Sequence, residues 1–168
     1  MSAAEFPRPI DVRQIGERPV TLTASETERE ALARRFGLVA IHRLEAEVTL
    51  SGDASRVVAQ GRMEADIVQS CAVSSEDLPV HIDEKLDLRF VPARADEAEE
   101  LELAEEDCDE IPFDGEVFDL GEAVAQSLAL AIDPYATGPE ADRARREAGI
   151  IEEGESGPFA ALAALKKN

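Results

Sequence analysis

Three times between Leu38 and Phe90 the sequence alternates apolar and polar residues over a long run. In the first run Leu38, Ala40, His42, Leu44, Ala46, Val48 and Leu50 fall on one side, with Arg43, Glu45, Glu47 and Thr49 on the other. Successive side chains of a strand point to opposite faces, so such a run predicts a long strand with one dry and one wet face. The turn residues Ser51-Gly52-Asp53-Ala54-Ser55 follow, and alternation resumes through Val57, Ala59, Gly61, Met63, Ala65 and Ile67, which predicts an antiparallel hairpin. After Ser74-Ser75-Glu76-Asp77 a third run sets Val80, Ile82, Leu86, Leu88 and Phe90 against His81, Asp83, Lys85, Asp87 and Arg89. Three such strands in succession make a meander, and its apolar face needs a cover.

Two helices are signalled by their starts. Ser25 followed by Glu28 is a capping box, in which the serine oxygen and the glutamate each satisfy an orphan amide. That helix would carry Ala31, Leu32 and Phe36 as its buried stripe and end at Gly37. Asp119 with Glu122 marks the second, and Leu120, Val124, Leu128 and Ala131 recur at helical spacing until Pro134. Weaker patterns around Ile10 and Val12 and over Pro19–Thr23 suggest short strands. The expected fold is α+β: an antiparallel meander, able to curl toward a half barrel, with two or three helices packed on one face. One domain would span residues 1–135 with an acidic loop at about 93–116, and a flexible tail, residues 136–168, would end in a short apolar helical motif.

Charge narrows the function classes. Seventeen Lys and Arg against thirty-seven Asp and Glu leave a formal net charge of −20, whereas nonspecific nucleic-acid binding depends on neutralising phosphates with cations. No Lys or Arg occurs between Arg94 and Arg143, a stretch that holds Glu99, Glu100, Glu102, Glu105, Glu106, Asp107, Asp109 and Glu110. Interspersed with Leu101, Leu103, Ile111 and Phe113, these carboxylates form a candidate site for a basic protein, meeting both the charges and the apolar stems of Lys and Arg. Arg34, Arg35 and Arg43 are the candidates for direct RNA contact, should they form a stripe. Phe159, Leu162 and Leu165 could share one face of a terminal helix, docked on the chain itself or anchoring a partner.

Catalytic patterns are missing. No nucleophile motif, phosphate cradle or dinucleotide fingerprint occurs, so the chain reads as no enzyme and calls for no cofactor. His42 falls on the apolar row of its strand and reads as a core or edge histidine; a metal or thiol enzyme would need it to converge with Cys71 and acidic residues. Cys71 and Cys108 form no disulfide framework, and no segment resembles a signal core or a membrane span, so the expected setting is cytoplasmic with no membrane partner.

The blocks Gly61–Cys71 (GRMEADIVQSC), Phe118–Leu130 (FDLGEAVAQSLAL), Asp133-Pro134-Tyr135 and Pro158–Lys166 (PFAALAALK), taken in this order and spacing, resemble the YceD family of large ribosomal RNA subunit accumulation proteins. The resemblance implies a noncatalytic bacterial factor that supports 23S rRNA accumulation and large-subunit assembly. Its genes commonly lie beside that of the basic ribosomal protein L32, which makes L32, or a basic assembly factor, the expected partner. The 23S precursor would then be contacted indirectly, with direct RNA binding as the alternative. Many members have Cys-x-x-Cys after the second long strand; here Cys71 is followed by Ala72, Val73 and Ser74. One thiolate plus a serine does not make the thiolate pair that zinc would use.

Overall fold

The computed structural model describes residues 4–93 and 110–149. Its elements run β1 (Pro9–Asp11), β2 (Val20–Thr23), α1 (Glu26–Phe36), β3 (Ala40–Asp53), β4 (Arg56–Ser70), β5 (Asp77–Pro92), β6 (Glu110–Phe113), β7 (Val117–Asp119), α2 (Leu120–Ala131) and α3 (Ala141–Glu147). The fold is α+β, with a five-stranded sheet in the order β2-β3-β4-β5-β6 and a two-stranded sheet of β1 and β7. The three alternating runs are β3, β4 and β5, adjacent in the sheet as a meander. β2 pairs antiparallel with the middle of β3, whereas β6 runs parallel to the end of β5.

The chain divides into two units, one of Met1–Gln69 with Pro79–Asp133 and one of Ser70–Leu78 with Pro134–Asn168. The loop after β4 groups with the chain that follows α2, through the bonds Ala72 N–H to Ala136 O at 3.0 Å and Glu140 N–H to Glu76 Oε1 at 3.3 Å. Residues 136–149, expected within a tail, contain α3 and bury Ala141.

In the first unit the dry rows of the sheet meet the helices in one core. Leu44, Ala46, Val48 and Leu50 of β3, Val57, Ala59, Met63, Ala65 and Ile67 of β4, and Ile82, Leu86 and Phe90 of β5 join Leu32 of α1 and Leu120, Val124 and Leu128 of α2. Phe118 brings β7 into this cluster, its ring centroid 4.4 Å from that of Phe90 and 5.9 Å from that of Phe113. The alternation of the first run fails near its start. His42 is exposed and Ile41 is buried instead, because a β-bulge between Ile41 and Arg43 inserts one residue and shifts the register there. His42 is therefore not on the apolar face. On α1 the buried pair is Leu32 and Ala33, with Ala31 and Phe36 only partly covered.

Both helix starts take the expected caps, and an N-terminal segment ties them together. Ser25 Oγ accepts from Glu28 N at 3.3 Å while Glu28 Oε2 accepts from Ser25 N at 2.8 Å, completing the capping box; Gly37 ends α1 at φ 66°, a conformation costly for residues with a Cβ. The same Glu28 carboxylate takes a two-pronged bond from Arg8, at 2.7 and 2.9 Å. Arg8 also lies over the fully buried Phe6, 4.4 Å from its ring centroid. Its backbone N–H donates to Asp119 Oδ1 at 2.9 Å, the oxygen that also caps Glu122 N at 3.1 Å, and its carbonyl accepts from Leu120 N at 3.0 Å. This strap leaves no room for a side chain at Gly121, where an added Cβ would stand 2.0 Å from Phe6 O.

Two consequences are measurable. Alanine ordinarily favours a helix over glycine by about 1 kcal/mol, yet Gly121→Ala is expected to destabilise the chain by about 1–3 kcal/mol because the strap must shift; urea unfolding checks the sign. The Arg8 guanidinium holds the Glu28 carboxyl at about 2, below its ordinary 4.5. The contribution of this pair is complete above the unfolded value of 4.5 and is lost as the pH falls toward about 2. Glu28→Gln is expected to cost about 1 kcal/mol at neutral pH, given solvent screening of a partly exposed pair, and to flatten the loss of melting temperature across that acid window.

Candidate functional site

The wet face of the sheet carries a cross-strand network of ion pairs in the first unit. The hairpin register sets Arg43 opposite Asp66 and Glu45 opposite Glu64. Two glutamates directly opposed would repel, and Arg43 relieves this by reaching both, with Nη2 at 3.0 Å from Glu64 Oε2 and Nη1 at 3.5 Å from Glu45 Oε2. Its Nε donates to Asp66 Oδ2 at 2.9 Å, and the other oxygen of Asp66 lies 2.6 Å from His81 Nδ1 on β5. These two partners, His81 first and Arg43 second, hold the Asp66 carboxyl below its ordinary value. Arg62 of β4 likewise engages Asp83 of β5 through both carboxylate oxygens and lowers its pKa.

These pairings bear on the arginines singled out for RNA. Arg43 is surrounded by three carboxylates. Arg35 bridges Glu122 of α2, at 2.7 and 3.0 Å, and Glu5 of the N-terminal strap, at 3.0 Å, lining a shallow recess with Ala4. Arg34 is exposed near the end of α1, with no carboxylate paired to it among the described residues. Of the acidic candidates, Glu110 stands in β6, where Arg56 binds it. Glu99, Glu100, Glu102, Glu105, Glu106, Asp107 and Asp109 lie outside the described residues, as do Phe159, Leu162, Leu165 and Cys108.

The second unit contains a feature that the sequence did not disclose. The buried Cys71 Sγ accepts from three backbone amides: Ser74 N at 3.3 Å, Gly138 N at 3.4 Å and Val73 N at 3.5 Å. A hydrogen bond with the Ser74 side chain above all, then the amides of Ser74, Gly138 and Val73, bring the thiol down from 9.0 to about 7, outweighing the burial that opposes ionisation. The bond from Gly138 closes over 67 positions and has no local sequence signal; the nearby pair could have been inferred from a cysteine followed by a tight turn. A zinc ion does not fit here, since one sulfur and the Ser74 hydroxyl do not make a four-donor set. Among the described residues no three His, Cys, Asp or Glu side chains gather as metal ligands, and none of the helices is long and apolar enough to cross a membrane.

The described residues thus define an α+β protein whose sheet exposes a face of cross-linked charges and whose second unit holds one cysteine in a cradle of amides. The family model of the large ribosomal RNA subunit accumulation protein YceD matches residues 59–166, from β4 almost to the last residue, and the chain belongs to that family. Membership gives it a role in the accumulation of large-subunit ribosomal RNA. No curated protein and no solved structure matches the chain.

The cradle sets an expectation for titration. In a Cys108→Ser background the ultraviolet absorbance of the Cys71 thiolate is expected to rise with a midpoint at about 7. Ser74→Ala should move that midpoint upward, toward the ordinary 9.0, and an unchanged midpoint would show that Ser74 is not the controlling donor.

Proposed function

We propose that the chain is a noncatalytic, cytoplasmic factor that supports 23S rRNA accumulation by binding a basic protein of the large subunit, with L32 or a basic assembly factor as the partner. The observation that carries this reading is the state of the cations. On a chain of net charge −20, Arg35 and Arg43 are already bound by carboxylates of the same molecule, and phosphate would have to displace those partners. A basic protein meets the opposite situation, since Glu99, Glu100, Glu102, Glu105, Glu106, Asp107 and Asp109 sit in a stretch of sequence devoid of Lys and Arg. Phe159, Leu162 and Leu165 would add an apolar anchor to the same capture. Binding a nascent or unassembled basic protein would keep its charged segments off the wrong RNA until assembly. The direct RNA reading keeps the exposed Arg34 as support, and Arg18, Lys85 and Arg146 are likewise exposed and outside any ion pair among the described residues.

The test is capture of L32 and of lysate proteins by the full chain, with and without nuclease and at low and high salt. Recovery of a basic large-subunit protein should survive nuclease and weaken with salt. It should fall by about tenfold or more when those seven carboxylates are replaced by the matching amides. Affinity unchanged by that replacement would overturn the reading. Recovery of 23S precursor alone, lost with nuclease, would transfer the function to direct RNA contact.

A further inference from the structure

We propose that the N-terminal strap exchanges between two copies of this chain, the strap of each copy docking in the seat that the other copy's strap would fill. The strap, Glu5 to Val12, is held by three devices at once. Phe6 is a fully buried apolar anchor. Arg8 pairs with Glu28 in two prongs, and its Nη2 also donates to Thr23 O at 3.0 Å. Backbone bonds run along β7 and the start of α2, from Val12 N to Glu116 O at 2.8 Å as far as the bonds of Arg8 with Asp119 and Leu120. A buried aromatic ring, a paired cation and an added strand are the means by which extended peptides bind other molecules. Here one chain supplies both the peptide and its seat.

The connection between strap and body permits the exchange. The polar contacts of the seat come from residues 23–35 and 116–122, so they are the same whichever copy the strap comes from. Gly16, Glu17, Arg18 and Pro19 lead from the strap to β2; all four are exposed, and none makes a hydrogen bond or ion pair with another described residue. A Cβ added at Gly16 would meet nothing within 4 Å. Fully extended, residues 15–19 reach about 17 Å. β1 and β7 form a sheet of their own, so the strap leaves without breaking the five-stranded sheet. Pro7 and Pro9 fix their own φ and bias Phe6 and Arg8 toward extended backbone in the released strap, which lowers the cost of ordering it on a new body. Two effects oppose exchange: a chain's own strap is present at an effective concentration of about millimolar, and two bodies of net charge −20 repel each other. Reciprocal exchange offsets the first, because the second strap docks within one complex, and salt screens the second.

The experiment divides one ion pair between two full-length chains. One carries Arg8→Glu and the other Glu28→Arg, so each sets like charges together when its own strap closes. Mixed, the two chains restore opposite charges at both seats only by exchanging straps. The expected result, read by native mass spectrometry and sedimentation, is a heterodimer that forms at a concentration about tenfold or more below that at which either chain alone dimerises. A chain carrying both substitutions matches its own strap to its own seat and should be monomeric there. Mixed chains that stay monomeric would overturn the proposal. So would a heterodimer no tighter than the homodimers, since its contact would lie elsewhere. If either single variant fails to fold, isotope-labelled and unlabelled wild-type chains mixed at about millimolar concentration in high salt decide the matter. Mixed dimers that vanish with Arg8→Ala would support exchange, whereas their absence, or their survival in that variant, would overturn it.

Discussion

Burial of one row of side chains along β3, β4 and β5 commits half of the sheet's surface to an apolar interior, and the remaining elements of the first unit close over it. α2 supplies Leu120, Val124 and Leu128, and α1 supplies Leu32. Phe118 serves the same purpose from β7, meeting Phe90 and Phe113 in a cluster of three rings. Each fully buried Leu, Val or Phe contributes roughly 1.5–3 kcal/mol relative to exposure, so the dry rows outweigh any single ion pair on the wet face. The wet face is free to be shaped by other demands, and its cross-strand pairs satisfy charge without being needed for collapse.

Much of this was legible in the sequence, since period-two alternation and capping boxes are local signals. The three long strands, the meander and both principal helices stand where those signals put them. The failures have physical causes. One inserted residue at the bulge moved His42 from the apolar row to solvent, and alternation carries no mark of an insertion. Arg8 gave no signal because its partners Glu28 and Asp119 are distant in the chain, and only the folded strap brings them together. The carboxylates around Arg43 were half legible: counting outward from the Asp53–Arg56 turn sets Arg43 opposite Asp66, but the reach to Glu64 and the contact of Asp66 with His81 require the third strand. The amide cradle of Cys71 was hidden for the same reason as the strap.

A very acidic protein can still present cations, so net charge alone does not exclude RNA. What matters is whether the cations are available. Arg35 and Arg43 are each spent on carboxylates of the same molecule, and Arg8, Arg56 and Arg62 are spent in the same way. Ion pairs at the surface are individually weak; as a set they leave the outward field of the chain dominated by unpaired carboxylates. That field falls off within about 8 Å at physiological salt.

The antiparallel pairing of β1 with β7 joins Pro9 to Asp119 and Asp11 to Val117. During synthesis the N-terminal residues leave the ribosome first, yet their hydrogen-bond partners are made more than a hundred residues later. Phe6, the clamp of Arg8 on Asp119 and the strand β1 all wait for β7 and the start of α2. The meander can form before then, because β3, β4 and β5 need only neighbours close in sequence. Closure of the strap is therefore a late event that reports completion of the first unit, and a chain truncated before residue 117 would leave β1 without its partner strand.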